Sequence, residues 1–177
     1  MKFKAIFFLL FTLAIVSCKN TEARRPKKQG TENFYKEVIE KNKKLNALEK
    51  KYLENWISQD TLTKYEISPQ GFWYTYKNKD SVSTVTPVLE DLVLLSYDVT
   101  DLNGNTIYEK EEKNYKVDKE DFIPALQEGI KLMKKGETIT FVIPSYSAFG
   151  VTGDGNKIAV NQPIISTVTL IEIKSNK

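Results

Sequence analysis

The run from Phe122 to Gly150, FIPALQEGIKLMKKGETITFVIPSYSAFG, constrains the fold of this chain more than any other stretch. Pro124 stands where the first turn of a helix needs no backbone N–H. Ile123, Leu126, Ile130 and Met133 recur at helical spacing and make one apolar stripe. Lys134 and Lys135 suit the negative end of the helix dipole, and Gly136 suits a left-handed C-terminal cap, which predicts the helix end there. Thr138 to Ile143 follows as a strand, with Ile139, Phe141 and Ile143 on one face and Thr138 and Thr140 on the other. Pro144 ends it, and Ser145 to Gly150 is a loop with an aromatic residue just before its glycine. A short helix laid on a sheet in this way predicts an α+β domain.

The N-terminus reads as a targeting segment. Lys2 and Lys4 precede an apolar run from Ala5 to Val16, interrupted only by Thr12. A core of about a dozen residues is too short to span a bilayer and matches a secretory signal. It ends in Ile15-Val16-Ser17-Cys18, which resembles the lipobox of bacterial lipoproteins and implies acylation of Cys18. Residues 1–17 are thus expected to be a signal peptide and 18–31 a lipidated tether. The tether holds Lys19, Arg24, Arg25, Lys27 and Lys28 against Glu22 alone. Beside a lipid anchor, that basic excess favours anionic head groups. Export argues against nucleic acid as its target. The expected location is the cell envelope, facing the periplasm, because no acidic residues directly follow Cys18.

Composition removes whole classes of chemistry. Cys18 is the sole cysteine, so no intrachain disulfide can form, and there is no histidine. Ser-His-Asp and Cys-His catalysis are excluded, as is a histidine-rich zinc site. Asp and Glu follow no calcium-loop pattern, and no glycine-rich phosphate loop is present. Neither metal nor cofactor is expected. Glu109, Glu111 and Glu112 read as a solvated loop.

Residues 32–60 lack Gly and Pro and predict an amphipathic helix. Val38, Leu45 and Tyr52 lie seven apart, and Phe34, Leu48, Trp56 and Ile57 widen the stripe. Charges of the two signs balance along it. Such a helix packs on its own domain, or pairs with a second copy or an envelope partner; three heptads do not decide between these. Beyond it, Ser68-Pro69-Gln70-Gly71 is a turn. Phe72, Tyr74 and Tyr76 alternate with Trp73 and Thr75. Leu92 to Thr100 alternates with Val93, Leu95, Tyr97 and Val99 inward. Asn103-Gly104 signals a hairpin, from which Thr106 to Glu109 returns. Glu111 to Asn114 reads as a polar loop and Tyr115 to Val117 as a short strand. Thr152 to Asn161 is a long loop and Pro163 to Ile173 the last strand.

The runs Phe-Ile-Pro-x-x-x-x-Gly, Met-x-x-Gly-Glu and Ile-Pro-x-x-x-Ala-Phe-Gly, in this order, resemble the FKBP-type peptidyl-prolyl isomerases. The similarity spans roughly Ser68 to Lys174 and places the domain at 68–177. With the lipobox, the chain looks most like the gliding-motility-associated FKBP-type lipoproteins of Bacteroidetes. The resemblance implies an antiparallel half-barrel wrapped round one short helix. It also implies a pocket of Tyr97, Ile107, Phe122, Ile123, Leu126, Phe149 and Ile158, with the Ile123 N–H receiving a substrate carbonyl. The chain departs from the family pattern at five positions, one of them Val160, which replaces one of two prolines in the loop over the site. Tyr108 stands where an aspartate is usual, Leu126 replaces the floor tryptophan, Phe149 replaces a tyrosine, and Ser166 an aromatic. Two functions follow as expectations: an isomerase acting on Xaa-Pro segments of exported proteins, or a non-catalytic binding module of a cell-envelope complex. Proline isomerisation needs no acid, base or nucleophile, so a chain without histidine or free thiol can perform it.

Overall fold

A computed structural model of the chain describes residues 31–80 and 83–175. The expected signal peptide, Cys18 and nearly all of the tether lie outside the described residues. The chain divides into two compact units between Lys41 and Asn42. Of the first, the described part is the opening of helix α1 (Thr31–Gln59). There the Phe34 and Tyr35 rings meet edge to face at 6.0 Å, and Phe34, Tyr35, Val38 and Ile39 are exposed.

The second unit holds the rest of α1 and a six-stranded antiparallel sheet, β1 (Glu66–Ile67), β2 (Trp73–Asn78), β3 (Leu92–Thr100), β4 (Thr106–Lys116), β5 (Thr138–Ile143) and β6 (Ile164–Lys174). The strands lie in the order β1-β2-β5-β6-β3-β4. A short helix, α2 (Pro124–Ile130), packs on it. This is the expected α+β half-barrel with a preceding helix. Alternation along the strands builds its core. Val93, Leu95 and Val99 of β3, Ile139, Phe141 and Ile143 of β5, and Ile164, Val168 and Leu170 of β6 bury against Leu126, Ile130 and Met133. On the other face of β5 and β6, Thr138 pairs with Thr169 and Thr140 with Thr167 through their hydroxyls, at 2.9 and 3.0 Å.

Three sequence readings change. The apolar stripe of α2 is buried as expected, but the helix ends at Ile130 with Lys131 as its cap residue. Gly136 does take a left-handed φ of 86°. It does so in the turn into β5, donating its N–H to Leu170 O at 2.7 Å, so pairing with β6 fixes it and not the helix end. Glu137, next to it, is buried, and its carboxylate accepts the N–H groups of Asp80 and Lys134 at 2.9 and 2.8 Å. The Gly-Glu pair is therefore part of the framework. Secondly, Glu111–Asn114 is no loop. It continues β4, whose register with β3 runs from Thr106 to Lys116 and shifts at Tyr97/Val99. Glu109, Glu111 and Glu112 are exposed positions of that strand.

Thirdly, α1 docks through only the end of the expected stripe, Trp56 and Ile57, joined by Leu53, which the stripe did not include. Leu53, fully buried, joins Trp73 and Val142 in a second small core, flanked by Trp56, Ile57, Tyr65, Leu102 and Ile165. Leu45, Leu48 and Tyr52 remain exposed. Packing on its own domain is thus the arrangement of the helix's last turns.

Seven tyrosines have phenols held above their ordinary value, chiefly by burial, or in Tyr108 by its hydrogen bond to Asp154. Tyr74, desolvated and hydrogen-bonded to Glu66 at 3.0 Å, is pushed up to about 12. A raised folded value means that the stability contribution is complete below the unfolded phenol value of about 10 and is lost as pH rises through the folded one. The urea midpoint should therefore hold through neutral pH and fall progressively above about pH 10. A midpoint that rises between pH 10 and pH 12 would contradict this.

Candidate functional site

A cavity of about 470 Å³ opens between the concave end of the sheet and the segment entering α2. β3 supplies Tyr97 and Val99, β4 supplies Tyr108 and Glu111, and the segment before α2 supplies Asp121, Phe122 and Ile123. The loop between β5 and β6 supplies Phe149, Asp154 and Ile158. Pro124 holds the helix start, and Gln127 Nε2 donates to Phe122 O at 2.8 Å, fixing the backbone of the Phe-Ile pair. The Ile123 N–H donates to no backbone carbonyl among the described residues.

Of the expected pocket residues, Tyr97, Phe122, Ile123, Phe149 and Ile158 come together on the wall. Leu126 does not reach it. It is fully buried in the core. Ile107 is half-buried and packs against the core beside the cavity, not on its wall. Tyr115 is buried behind Phe122, ring centroids 5.5 Å apart. Ser166, on the face of Ile164 and Val168 as expected, is fully buried and donates to Asp98 O at 2.7 Å. Where an aromatic side chain would fill space, this chain ties β6 to β3.

Tyr97 and Phe122 meet at right angles, centroids 5.1 Å apart, a favoured aromatic geometry. The Tyr97 hydroxyl donates to Glu111 Oε1 at 2.5 Å. Burial first, and then that carboxylate, hold the phenol well above its ordinary value, so it stays protonated at neutral pH. Lys113 Nζ lies 5.7 Å from the Phe122 ring centroid.

Sequence reasoning missed the polar side of the cavity. Tyr108, where the aspartate was expected, donates its hydroxyl to a different carboxylate, Asp154 of the long loop. Asp154 Oδ1 also accepts the N–H groups of Asn156 and Ile158, both at 2.8 Å. Desolvation opposes its charge, but the Tyr108 hydroxyl and these N–H groups outweigh it and hold Asp154 below the usual carboxylate value. The carboxylate has not vanished from the cavity. The loop supplies it as Asp154, and the strand supplies Tyr108 as its partner. The one signal available was Asp154 itself, which before Gly155 resembles any turn residue.

Such a cavity offers an aromatic and aliphatic recess edged by Glu111, Asp121 and Asp154, and no group of side chains that could hold a metal ion is found among the described residues. The barrier to peptide rotation, about 18–20 kcal/mol, comes from amide resonance. Water favours the charge-separated planar amide. A recess that strips water from it and places donors for the twisted form lowers that barrier.

The fold is an α+β half-barrel with a largely aromatic and aliphatic cavity at the entry to its short helix. The profile of the FKBP-type peptidyl-prolyl cis-trans isomerases matches residues 83–171, and the chain belongs to that family. It is 31% identical over 90 residues to a probable FKBP-type peptidyl-prolyl cis-trans isomerase, FkpA, of Neisseria meningitidis serogroup B, covering 49% of this chain and 33% of that protein. The chain thus spans about a third of the length of the curated relative it matches. Among solved structures, FkpA from Escherichia coli superposes with a TM-score of 0.60 at 22% identity, covering 100% of this chain and 84% of that one. A peptidyl-prolyl cis-trans isomerase from Pseudomonas syringae pv. tomato also gives 0.60 at 17% identity, covering 73% and 96%. At these identities the two structures speak for the fold.

Proposed function

We propose that the chain is a peptidyl-prolyl cis–trans isomerase, lipid-anchored through Cys18 in the cell envelope and acting on Xaa-Pro segments of exported proteins. The observation that carries this is the cavity wall, where Tyr97, Phe122, Ile123, Phe149 and Ile158 converge from three separate stretches of chain. In this reading Phe122, Tyr97, Phe149 and Ile158 surround the proline ring, and the unengaged Ile123 N–H donates to a substrate carbonyl. Leu126 and Ile107 support these residues from the core. The domain takes up residues 68–177, after a signal peptide at 1–17, a tether at 18–31 and the helix at 32–60. Resemblance to the gliding-motility lipoproteins supports a role among motility proteins facing the periplasm.

A second reading is a non-catalytic module that holds an envelope partner. The exposed Leu45, Leu48 and Tyr52 of α1 favour it. Cis/trans exchange in an Xaa-Pro peptide, followed by NMR, separates the two. Catalysed exchange should appear with wild type and fall at least about ten-fold with Phe122→Ala, because a truncated wall no longer orients the ring. A folded wild-type chain that leaves the exchange rate unchanged would overturn the isomerase and leave the binding module.

A further inference from the structure

The loop that carries Phe149 is held from outside the sheet, by α1. The Glu49 carboxylate takes two hydrogen bonds from a single residue 96 positions away: the Ser145 N–H reaches Oε1 at 2.6 Å, and the Ser145 hydroxyl reaches Oε2 at 2.7 Å. Charge-assisted bonds of this kind are short and strong, and two to one residue fix its orientation as well as its position. Ser145 is itself a node. It is 3% exposed, and its carbonyl accepts the N–H groups of Ala148 at 2.9 Å and Gly150 at 2.7 Å. Phe149 sits between those two donors. Glu49 in turn is held firmly, since Leu53 one turn further along α1 is fully buried against Trp73 and Val142.

We infer that Glu49 is a positioning residue for the cavity: acting through Ser145, it fixes the backbone that places Phe149 in the wall. Without its carboxylate, a buried N–H and a buried hydroxyl lose their acceptor. The loop would then have to shift until they reach water or another partner. Such a shift carries Phe149 with it, through the two bonds that the Ser145 carbonyl holds. The residue lies on a helix outside residues 83–171, so one element governs the site from beyond the stretch the family profile matches. For catalysis, the inference rests on the isomerase reading above.

The test uses the full chain with Glu49→Ala, Glu49→Gln and Ser145→Ala. Glutamine keeps an acceptor for the Ser145 N–H and can donate its amide to the hydroxyl, so it should restore the loop. Hydrogen–deuterium exchange of residues 145–150 should accelerate in Glu49→Ala, while β3 and β6 keep wild-type protection. In parallel, kcat/KM for an Xaa-Pro peptide should fall on the order of ten-fold in Glu49→Ala. It should fall less in Ser145→Ala and stay within about two-fold of wild type in Glu49→Gln. A purely structural anchor would lower the melting temperature of Glu49→Ala yet leave loop exchange and kcat/KM of the folded protein unchanged; that result overturns the inference. Should the wild type show no catalysis, the isomerase reading fails by itself, and the exchange of residues 145–150 still decides whether Glu49 positions the loop.

Discussion

Phe141→Ala is expected to lower the free energy of unfolding by about 3–5 kcal/mol, the usual cost of emptying a large aromatic site in a core. Phe141 is fully buried at the middle of β5 and meets Phe72 edge to face, centroids 5.8 Å apart. Its ring also presses on α2. A Cβ at Gly129 would stand 2.5 Å from Phe141 Cε1 and 2.8 Å from Cζ, closer than carbon atoms approach. Helix propensity alone favours alanine over glycine by about 1 kcal/mol. Overpacking a rigid ring costs about 1–3 kcal/mol, so the clash wins and Gly129→Ala should be destabilising. In the Phe141→Ala background the obstruction is gone, and the same Gly129→Ala change should become neutral or stabilising. Urea denaturation of the two single variants and the double variant gives the coupling directly. A Gly129→Ala effect equal in both backgrounds would show that the ring does not determine the glycine.

Asp154→Ala should cost on the order of a hundred-fold in isomerase kcat/KM, the scale associated with misplacing a catalytic wall by about 1 Å. One carboxylate here accepts the Tyr108 hydroxyl and the N–H groups of Asn156 and Ile158. Its removal frees the long loop from β4 and with it Ile158. Asp154→Asn keeps one oxygen for the N–H groups and should retain much more activity. Tyr108→Phe, which breaks a single bond, should fall between wild type and Asp154→Ala. The carboxyl is held below its ordinary value, so its contribution to stability is present above the ordinary aspartate range and is lost as pH falls through the lower folded value. Wild type and Asp154→Asn should therefore converge in relative stability only below about pH 4. Equal activity of Asp154→Ala and wild type would mean that the loop holds its place without this carboxylate.

What the sequence disclosed followed the strength of its periodicities. Ile139, Phe141 and Ile143 alternate cleanly and bury as read, and the apolar stripe is buried too, Leu126 and Ile130 on α2 and Met133 just beyond its end. β4 was misread at Glu111–Asn114 because no alternation survives in a strand whose middle is exposed; only its ladder with β3 makes it a strand. The end of α2 was misplaced because Gly136 satisfies a helix-cap pattern while bonding to Leu170, and long-range partners leave no local trace. The pocket's aromatic half was legible because Phe122 and Phe149 sit inside short motifs. Its polar half was not, since Tyr108 and Asp154 are 46 residues apart and only the fold joins them.

β4 lies at the end of the strand order and, among the described residues, pairs only with β3. Eleven residues of extended backbone without a proline therefore present one free edge, the kind that recruits a stray strand from another molecule. Along it run Glu109, Lys110, Glu111, Glu112 and Lys113. A strand from a neighbouring copy, arriving parallel and in register as in a fibril, would have to set each of these charges beside its like. The run that carries no periodic signal thus acts as a guard against fibrous self-association. Replacing Lys110, Glu112 and Lys113 with threonine would leave the fold's core intact while opening that edge to aggregation.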